Sequence, residues 1–453
     1  MDGFLKHALL LFFALRIGDC VNVAAGMWFV PKYVKPEDIG AVLPLASFAT
    51  FMSLPMFAFA MTIMKESACL SAEGEQGRVK SLLSGVFVAS AVVMFAVVGV
   101  SVAVMPHFLG VIGVSDASAG FLVVLAAFLG CVAPVYTDAL QSLKRFRSLA
   151  AIEIVGSVVR FGVMFVVMPF KALAGYFAGQ AALPVFRMCG SVLALRRELA
   201  VPSEPFWNRN TVRRVAVVFV AVLAYQAIPM SASLVEQTIL RTALPVRDSA
   251  GYYMVSRFAD FLYFLTFPLL LVMFPYTANA AQKGCSTVPF VVKCSVATLV
   301  VAILAAVAYF FFGAQLLSLM PNGAEYLDYV GYMPWLVLAN ALTSCQVFYA
   351  NAEVSAGRFG FLLWLAPLHI AYAAALHLHG TIGAELTMPV LVFFFVSISL
   401  FRFVFSAVAI CYNRLHEKDV NRFGSGRVRG RGDRGAQGKV RLRPQGCAGA
   451  VPV

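Results

Sequence analysis

Charged side chains are scarce in this sequence of 453 residues. Asp, Glu, Lys and Arg together make up 13% of the chain, whereas 61% of the residues are hydrophobic. The interior of a water-soluble protein of this length cannot accommodate so many apolar side chains. Together with the mean hydropathy of +0.84, this composition excludes a soluble protein and predicts one that crosses a membrane several times.

Residue patterns that carry chemistry are also missing. The nine cysteines are scattered without a CxxC motif and the six histidines do not cluster, so no spacing typical of metal ligands occurs. A nucleotide-binding GxxxxGK[ST] motif is absent from the sequence as well. No polar connection is long enough for a separate catalytic domain. We therefore expect no metal, no other cofactor, no enzymatic activity and no nucleic-acid partner.

Apolar segments long enough to cross about 30 Å of hydrocarbon recur along the chain. We number them as spans 1 to 12, and they cover residues 7–30, 40–64, 82–106, 118–140, 149–169, 172–195, 213–240, 251–277, 289–314, 330–351, 359–379 and 387–412. This pattern predicts an all-α polytopic membrane protein with about 12 transmembrane helices. A polar connection near the middle divides the spans into two lobes. The predicted units are a six-helix N-terminal lobe at 1–197, a linker at 198–212, a six-helix C-terminal lobe at 213–412 and a tail at 413–453.

The basic residues between the spans lie mostly on one side of the predicted membrane. Fifteen of them fall in connections on the side of the termini, which we call the basic side, and five fall in connections on the opposite side. Because positively charged connections stay in the cytoplasm, the basic side and both termini are predicted to be cytoplasmic.

The tail at 413–453 is rich in glycine and arginine. It is too polar to pack against a core, and it is therefore predicted to be disordered. Its positive charge leaves two interpretations open, because the tail is either simply solvated or attracted to anionic lipid headgroups.

Five arginines lie inside the predicted spans and away from the span ends, namely Arg16, Arg160, Arg187, Arg257 and Arg402. A charge at the centre of a membrane helix costs about 2.5–3.5 kcal/mol. Most of these arginines should therefore face an acid, a wet cavity or a helix interface rather than lipid. Arg187 and Arg402 can instead extend their side chains towards the membrane surface.

Acidic residues at helical spacing accompany three of these arginines. The pairs are Arg16 with Asp19, Arg257 with Asp260, and Glu153 with Arg160. Their members are three or seven residues apart, so each pair lies on one face of its helix. Taken together, the three pairs favour a single polar cavity within the apolar helix bundle. Each pair taken alone is equally consistent with a structural ion pair that joins helices.

Three stretches and the two six-span halves carry a resemblance to a known family. The stretches are “YVKPEDIGAVLPLASF” after span 1, “ALQSLKRFRSLAAIEIVGSVVR” from span 4 into span 5, and “AGYYMVSRFADFLYFLTFPLLLVMFP” in span 8. In these features the chain resembles polysaccharide-transport flippases of the multidrug/oligosaccharidyl-lipid/polysaccharide exporter superfamily. The resemblance implies two lobes around a central cavity in a bacterial cytoplasmic (inner) membrane. It also implies export of a polyprenyl-diphosphate-linked oligosaccharide to the outer leaflet.

The resemblance further implies which residues meet this substrate. Arg16 and Arg257 match arginines that face the cavity in the peptidoglycan-precursor branch of the family. The full set predicted to line the cavity is Arg16, Asp19, Asn22, Arg160, Arg257 and Asp260. Glu153 and Glu236 are candidates for coupling transport to an ion. The expected partners are the lipid-linked oligosaccharide and membrane lipids.

Two other functions stay open on the sequence alone. A drug/cation antiporter of the same superfamily would need a cavity dominated by acids, whereas the spans hold about as many arginines as acids. A membrane glycosyltransferase or polymerase would need a catalytic carboxylate or histidine on a sizeable loop, and we find no such loop.

Overall fold

A computed structural model describes residues 13–426, apart from residues 14–15, 19, 22, 73–74, 144, 283–285, 357 and 382–385. Its described secondary structure is entirely helical, and the helices coincide with the predicted spans, so we keep the span numbers for them. Seven of the helices are long and apolar enough to cross a membrane by themselves. A bent pair, Pro36–Met52 with Leu54–Ala60, makes an eighth candidate.

The helices have the following bounds in chain order. Span 1 is helical over its described residues and ends in a π-helix, Ala25–Phe29, followed by Val30–Tyr33. The remaining spans are Val42–Met52 with Leu54–Ala72, Gln76–Ile112, Ala117–Val132 with Pro134–Ser142, Phe146–Val167, Ala172–Ala194, Arg209–Ala243, Val246–Gln282, Val288–Ser318, Met333–Ser355, Leu362–Thr381 and Met388–Gly426. Three short helices connect them, namely Pro36–Ile39, Arg196–Ala200 and the 3-10 helix Gly323–Tyr332.

The outward faces of the long helices are apolar. Spans 3 and 9 expose Val92, Phe95, Leu304 and Phe310, whose exposed fractions lie between 64% and 75%. A water-soluble protein rarely leaves so continuous an apolar surface uncovered, whereas lipid tails cover such a surface without cost. The exposed faces therefore agree with the membrane location that the composition predicts.

The last helix is longer than the sequence predicts. Span 12 continues to Gly426, whereas a disordered tail was predicted from residue 413. Residues 413–423 contain neither glycine nor proline, and they include Glu and Lys, which favour helix. The first glycine after the span is Gly424, close to where the helix ends. The rest of the predicted tail, from residue 427, lies outside the described residues.

Spans 1, 2 and 3 of the N-terminal lobe contact spans 7 and 8 of the C-terminal lobe. Span 7 of the C-terminal lobe packs along both halves of span 2, and the tilted rings of Phe59 and Phe219 contact each other there with centroids 4.8 Å apart. Span 8 contacts the π-helix of span 1 and the short helix Pro36–Ile39. Spans 1 and 8 therefore touch near the opposite side, where span 1 ends and span 8 begins.

On the side of the molecule opposite to the basic side, side chains of the C-terminal lobe donate hydrogen bonds to backbone carbonyls of the N-terminal lobe. Arg241 donates to Ile112 O at 3.0 Å and to Glu37 O at 2.7 Å, and Asn322 Nδ2 donates to Pro31 O at 2.8 Å. Ile112 is the last residue of span 3, so its carbonyl has no partner within its own helix. These bonds join the two lobes on the side opposite to the basic side.

Gly40 permits the closest approach of the lobes on this side. A Cβ atom at residue 40 would overlap with the hydroxyl of Ser249 and lie 2.9 Å from Ser249 Cβ. Ser249 is fully buried at the start of span 8, so it has no space to move.

We expect Gly40→Val to weaken the contact between the lobes, because its side chain would overlap with Ser249. Overpacking of this kind costs about 1–3 kcal/mol. The change is measured by thermal unfolding of the purified protein in detergent. Gly110→Val is the matched control, because a Cβ atom at Gly110 meets nothing within 4 Å. Equal stability of the two variants would contradict the close packing at Gly40.

Candidate functional site

Arg257 and Asp260 form an ion pair on span 8. Arg257 Nη2 lies 2.7 Å from Asp260 Oδ2, and the side chains are 24% and 40% exposed. The sequence predicts that these two residues share a helix face, and the structure brings them into direct contact. Since both retain exposure well inside a membrane helix, the pair borders open space rather than being sealed in the core. Its role in binding a substrate stays a prediction.

The surroundings of Arg257 place it at the boundary between the lobes. The Arg257 guanidinium lies over the ring of Tyr253, with Cζ 5.0 Å from the ring centroid. The Tyr253 hydroxyl donates to Gly26 O of span 1 at 3.0 Å. A methyl group added at Gly26 would lie 3.9 Å from Arg257 Cδ, so span 1 passes close to this arginine. On the other side of the pair, Asn340 of span 10 is within hydrogen-bonding reach of Asp260.

Arg16 lies on the half of span 1 nearer to the basic side. Its side chain is half-buried, whereas the neighbouring Phe13, Ile17 and Cys20 are exposed. Arg16 is thus directed away from the most exposed face of the helix. Asp19 and Asn22, which were predicted to act beside it, lie outside the described residues.

Arg160 lies within the N-terminal lobe. It is buried on span 5, one turn after Ser157. A Cβ atom at Gly18 of span 1 would lie 2.7 Å from Ser157 Oγ, so spans 1 and 5 pack closely at this level. On the other side, a Cβ atom at Gly179 of span 6 would lie 3.0 Å from Arg160 O. Arg160 therefore lies on a segment of span 5 that packs against spans 1 and 6 of its own lobe, whereas Arg257 and Asp260 belong to the other lobe.

Glu153 pairs with Arg187 rather than with Arg160. Arg187 Nη2 of span 6 donates to Glu153 Oε2 at 2.6 Å, and Glu153 is buried. A spacing of seven residues does place Glu153 and Arg160 on one helix face, but two turns separate them by about 10 Å along the axis. The neighbouring helix supplies a nearer partner. Arg187 keeps 32% exposure while it forms this pair, so its extension towards the membrane surface stays a prediction.

Asp138 of span 4 joins this pair and completes a cluster of two carboxyl groups and one guanidinium. It lies close enough to Arg187 and Glu153 to interact with both electrostatically. Asp138 Oδ2 is buried and accepts no hydrogen bond from the described residues. We call Asp138, Glu153 and Arg187 the N-lobe cluster. One arginine cannot neutralise two carboxylates. With both acids ionised, the cluster has a net charge of −1, which one proton or one monovalent cation would balance.

Glu236 of span 7 lies in a second buried cluster, in the C-terminal lobe. Its charged neighbour is Arg402 of span 12, and Tyr372 of span 11 is within hydrogen-bonding reach of it. The Arg402 guanidinium faces the Tyr372 ring, with Cζ 5.9 Å from the centroid, and Arg402 is only 8% exposed. Arg402 therefore compensates Glu236 inside the lobe and does not extend to the membrane surface.

No protein-family model and no curated protein sequence matches the chain. Solved structures do match in fold. An inward-facing multidrug-resistance MATE family transporter of the MOP superfamily has a TM-score of 0.64 at 13% identity, over 92% of this chain and 99% of that chain. An outward-facing structure of a multidrug-resistance MATE family transporter has a TM-score of 0.62 at 11% identity, over 92% and 95%. A Pyrococcus furiosus MOP-superfamily transporter, whose binding pocket has reverse polarity, has a TM-score of 0.61 at 12% identity, over 90% and 95%.

These matches define the class of the fold. The chain is a polytopic, all-helical membrane protein whose fold is shared by these solved transporters. More particularly, it has the fold of the MOP superfamily, which is the superfamily that the sequence resembles and which implies about twelve membrane helices. The TM-scores identify the fold, whereas identities of 11–14% are too low to identify the branch of the superfamily or the substrate.

The N-lobe cluster yields a test of its charge balance. We expect Arg187→Gln to lower the free energy of unfolding by about 1–3 kcal/mol, because it leaves Glu153 buried without a charged partner. The double variant Arg187→Gln/Glu153→Gln should regain part of this loss, because only one carboxyl group then remains in the cluster.

The matched control is Arg78→Gln, which removes an arginine from the exposed Arg78–Glu75 pair and should change stability by less than about 1 kcal/mol. Denaturant or thermal unfolding of the purified variants measures the three effects. If Arg187→Gln proves as mild as Arg78→Gln, the buried ion pair does not contribute to stability.

Proposed function

We propose that the protein is a flippase that moves a polyprenyl-diphosphate-linked oligosaccharide from the cytoplasmic to the outer leaflet of a bacterial cytoplasmic membrane. The observation that carries this proposal is the partly exposed Arg257–Asp260 pair at the boundary between the lobes. A guanidinium presents two parallel N–H donors to a phosphate, and its attraction to an anion is stronger in an apolar surrounding than in water. A diphosphate headgroup suits that chemistry.

Asp260 gives the empty protein a way to keep Arg257 charged. An isolated guanidinium inside a membrane is costly, and the carboxylate at 2.7 Å offsets that cost while no anion is bound. A bound diphosphate then competes with Asp260 for the same donors. Arg16, on the other lobe, is proposed to supply a second positive charge with Asp19 and Asn22 beside it, and Arg160 to add positive charge deeper in that lobe.

The contacts between the lobes support alternating access. Arg241, Asn322 and Tyr253 bind N-lobe carbonyls towards the side opposite to the basic side. Movement of one lobe against the other requires these few side-chain bonds to break. The proposed cycle exposes Arg257 first to the basic side, which we propose is cytoplasmic, and then to the opposite side.

The N-lobe cluster is the better candidate for ion coupling. It holds Asp138 and Glu153 against one arginine, so it can take up a proton or a monovalent cation. Glu236 faces the built-in charge of Arg402 and needs no added cation. We therefore propose that any coupling ion acts at Asp138 and Glu153 rather than at Glu236.

A drug/cation antiporter is the second candidate function. Its support is that matching solved structures are named as multidrug-resistance transporters. The arginine at the boundary between the lobes speaks against a cationic substrate, and the Pyrococcus furiosus transporter is an example of this fold with a binding pocket of reverse polarity. A glycosyltransferase or polymerase loses its support, because the fold is that of transporters.

We expect Arg257→Ala to reduce flipping of a labelled polyprenyl-diphosphate oligosaccharide in proteoliposomes at least about tenfold, because hydrogen bonds to a charged group are worth about 1.5–3 kcal/mol. Arg257→Lys should restore activity only partly, since an ammonium keeps the charge without the two-pronged contact. The same series at Arg16 should follow the same order. Arg247→Gln is the control, because it alters an exposed ion pair with Asp328 near the end of the same helix.

The double variants Arg257→Ala/Asp260→Ala and Arg16→Ala/Asp19→Ala separate binding from mere structural pairing. If the arginines bind the headgroup, both double variants stay inactive although they insert normally. Recovery of flipping in either one would show that its arginine only neutralises the adjacent acid. Transport of a cationic dye by the wild type, lost in Asp260→Asn and retained in Arg257→Ala, would favour the antiporter instead.

A further inference from the structure

A groove of about 550 Å³ opens on the basic side of the N-terminal lobe, between the beginning of span 5 and the end of span 6. Its lining includes Arg145, Arg196 and Arg197 together with Ile152, Leu193 and Ala194. The groove is built from spans 5 and 6 and the short helix Arg196–Ala200, whereas Arg257 stands on span 8. None of the residues that line it belongs to the set predicted to line the transport cavity or to the N-lobe cluster.

The groove carries excess positive charge in a fixed arrangement. Arg145 forms an ion pair with Glu198 and donates to Ala194 O at 3.2 Å, so its guanidinium is held at the groove wall. Arg196 and Arg197 are exposed on the short helix, and none of the ion pairs identified among the described residues includes them. Glu198 offsets one of the three arginines, which leaves two positive charges available to an anion.

The wall of the groove away from the arginines is apolar and continues onto the outer face of the lobe. Leu193 lines the groove and is 66% exposed. Further along span 5, Val155 and Val158 are 46% and 56% exposed. One end of the groove thus offers guanidinium groups at the level of the headgroups, and the other end leads to side chains that face the lipid tails.

We propose that this groove binds an anionic phospholipid, with the headgroup phosphate at Arg196 and Arg197 and an acyl chain along Leu193 and Val155. Charge complementarity selects the lipid. A zwitterionic headgroup would bring its own positive charge next to two arginines, whereas an anionic headgroup without an amine, such as phosphatidylglycerol, adds none. The apolar wall selects a lipid over a soluble phosphate, because inorganic phosphate leaves that wall uncovered.

The test uses the purified full-length chain in detergent, titrated with phosphatidylglycerol or phosphatidylcholine and followed by thermal unfolding and by native mass spectrometry. We expect phosphatidylglycerol to bind more tightly than phosphatidylcholine. Arg196→Gln/Arg197→Gln should weaken phosphatidylglycerol binding on the order of tenfold, because each basic residue near an anionic membrane surface contributes measurably to attraction. The variant should leave phosphatidylcholine binding unchanged.

Arg209→Gln/Arg213→Gln is the matched control, since it removes two exposed arginines from the same side of the molecule but outside the groove. Equal loss in this control, or full retention of phosphatidylglycerol preference in the groove variant, would overturn the proposal. Stabilisation by inorganic phosphate alone to the same extent would also overturn it, because the ligand would then be an anion and not a lipid. Arg197→Gln alone serves if the double variant does not fold. These binding and unfolding measurements do not depend on transport. Failure of the lipid-binding proposal can therefore be distinguished from failure of the proposed flippase activity.

Discussion

The high free energy of a charge in a membrane is the constraint on which this structure depends. The chain meets it in three different ways. Arg257 finds an acid one turn along its own helix, Arg187 finds Glu153 on a neighbouring helix, and Arg402 lies between Glu236 and an aromatic ring in the interior of its lobe. In the first arrangement the acid stays exposed, since Asp260 is 40% exposed, whereas Glu153 and Glu236 are buried. This exposed acid distinguishes the Arg257–Asp260 pair from the other two arrangements.

The two buried clusters also differ in charge. In the N-terminal lobe, two carboxyl groups share one arginine, whereas in the C-terminal lobe Glu236 has an arginine of its own. In this chain only the N-terminal cluster can change its protonation or take a cation without leaving an arginine uncompensated, so the lobes are chemically asymmetric.

The sequence predicts those features that are local. Long apolar runs locate the spans, and a spacing of three residues predicts the Arg257–Asp260 contact, because both depend only on helix geometry. The Glu153–Arg187 pair joins residues 34 positions apart, and it requires knowledge of how spans 5 and 6 pack. For the same reason the sequence did not predict the contribution of Asp138 or the burial of Arg402. It also did not predict that span 12 continues to Gly426.

The bonds from Arg241 to two main-chain carbonyls bear on how this protein can diverge. A carbonyl is present whatever amino acid occupies positions 37 and 112, so those side chains can drift without loss of the bonds. The arginine has no such freedom, because no other side chain reaches two acceptors with a planar fork of donors. Among relatives, position 241 should therefore vary little while its partners vary freely, and a search for paired substitutions would overlook this contact between the halves.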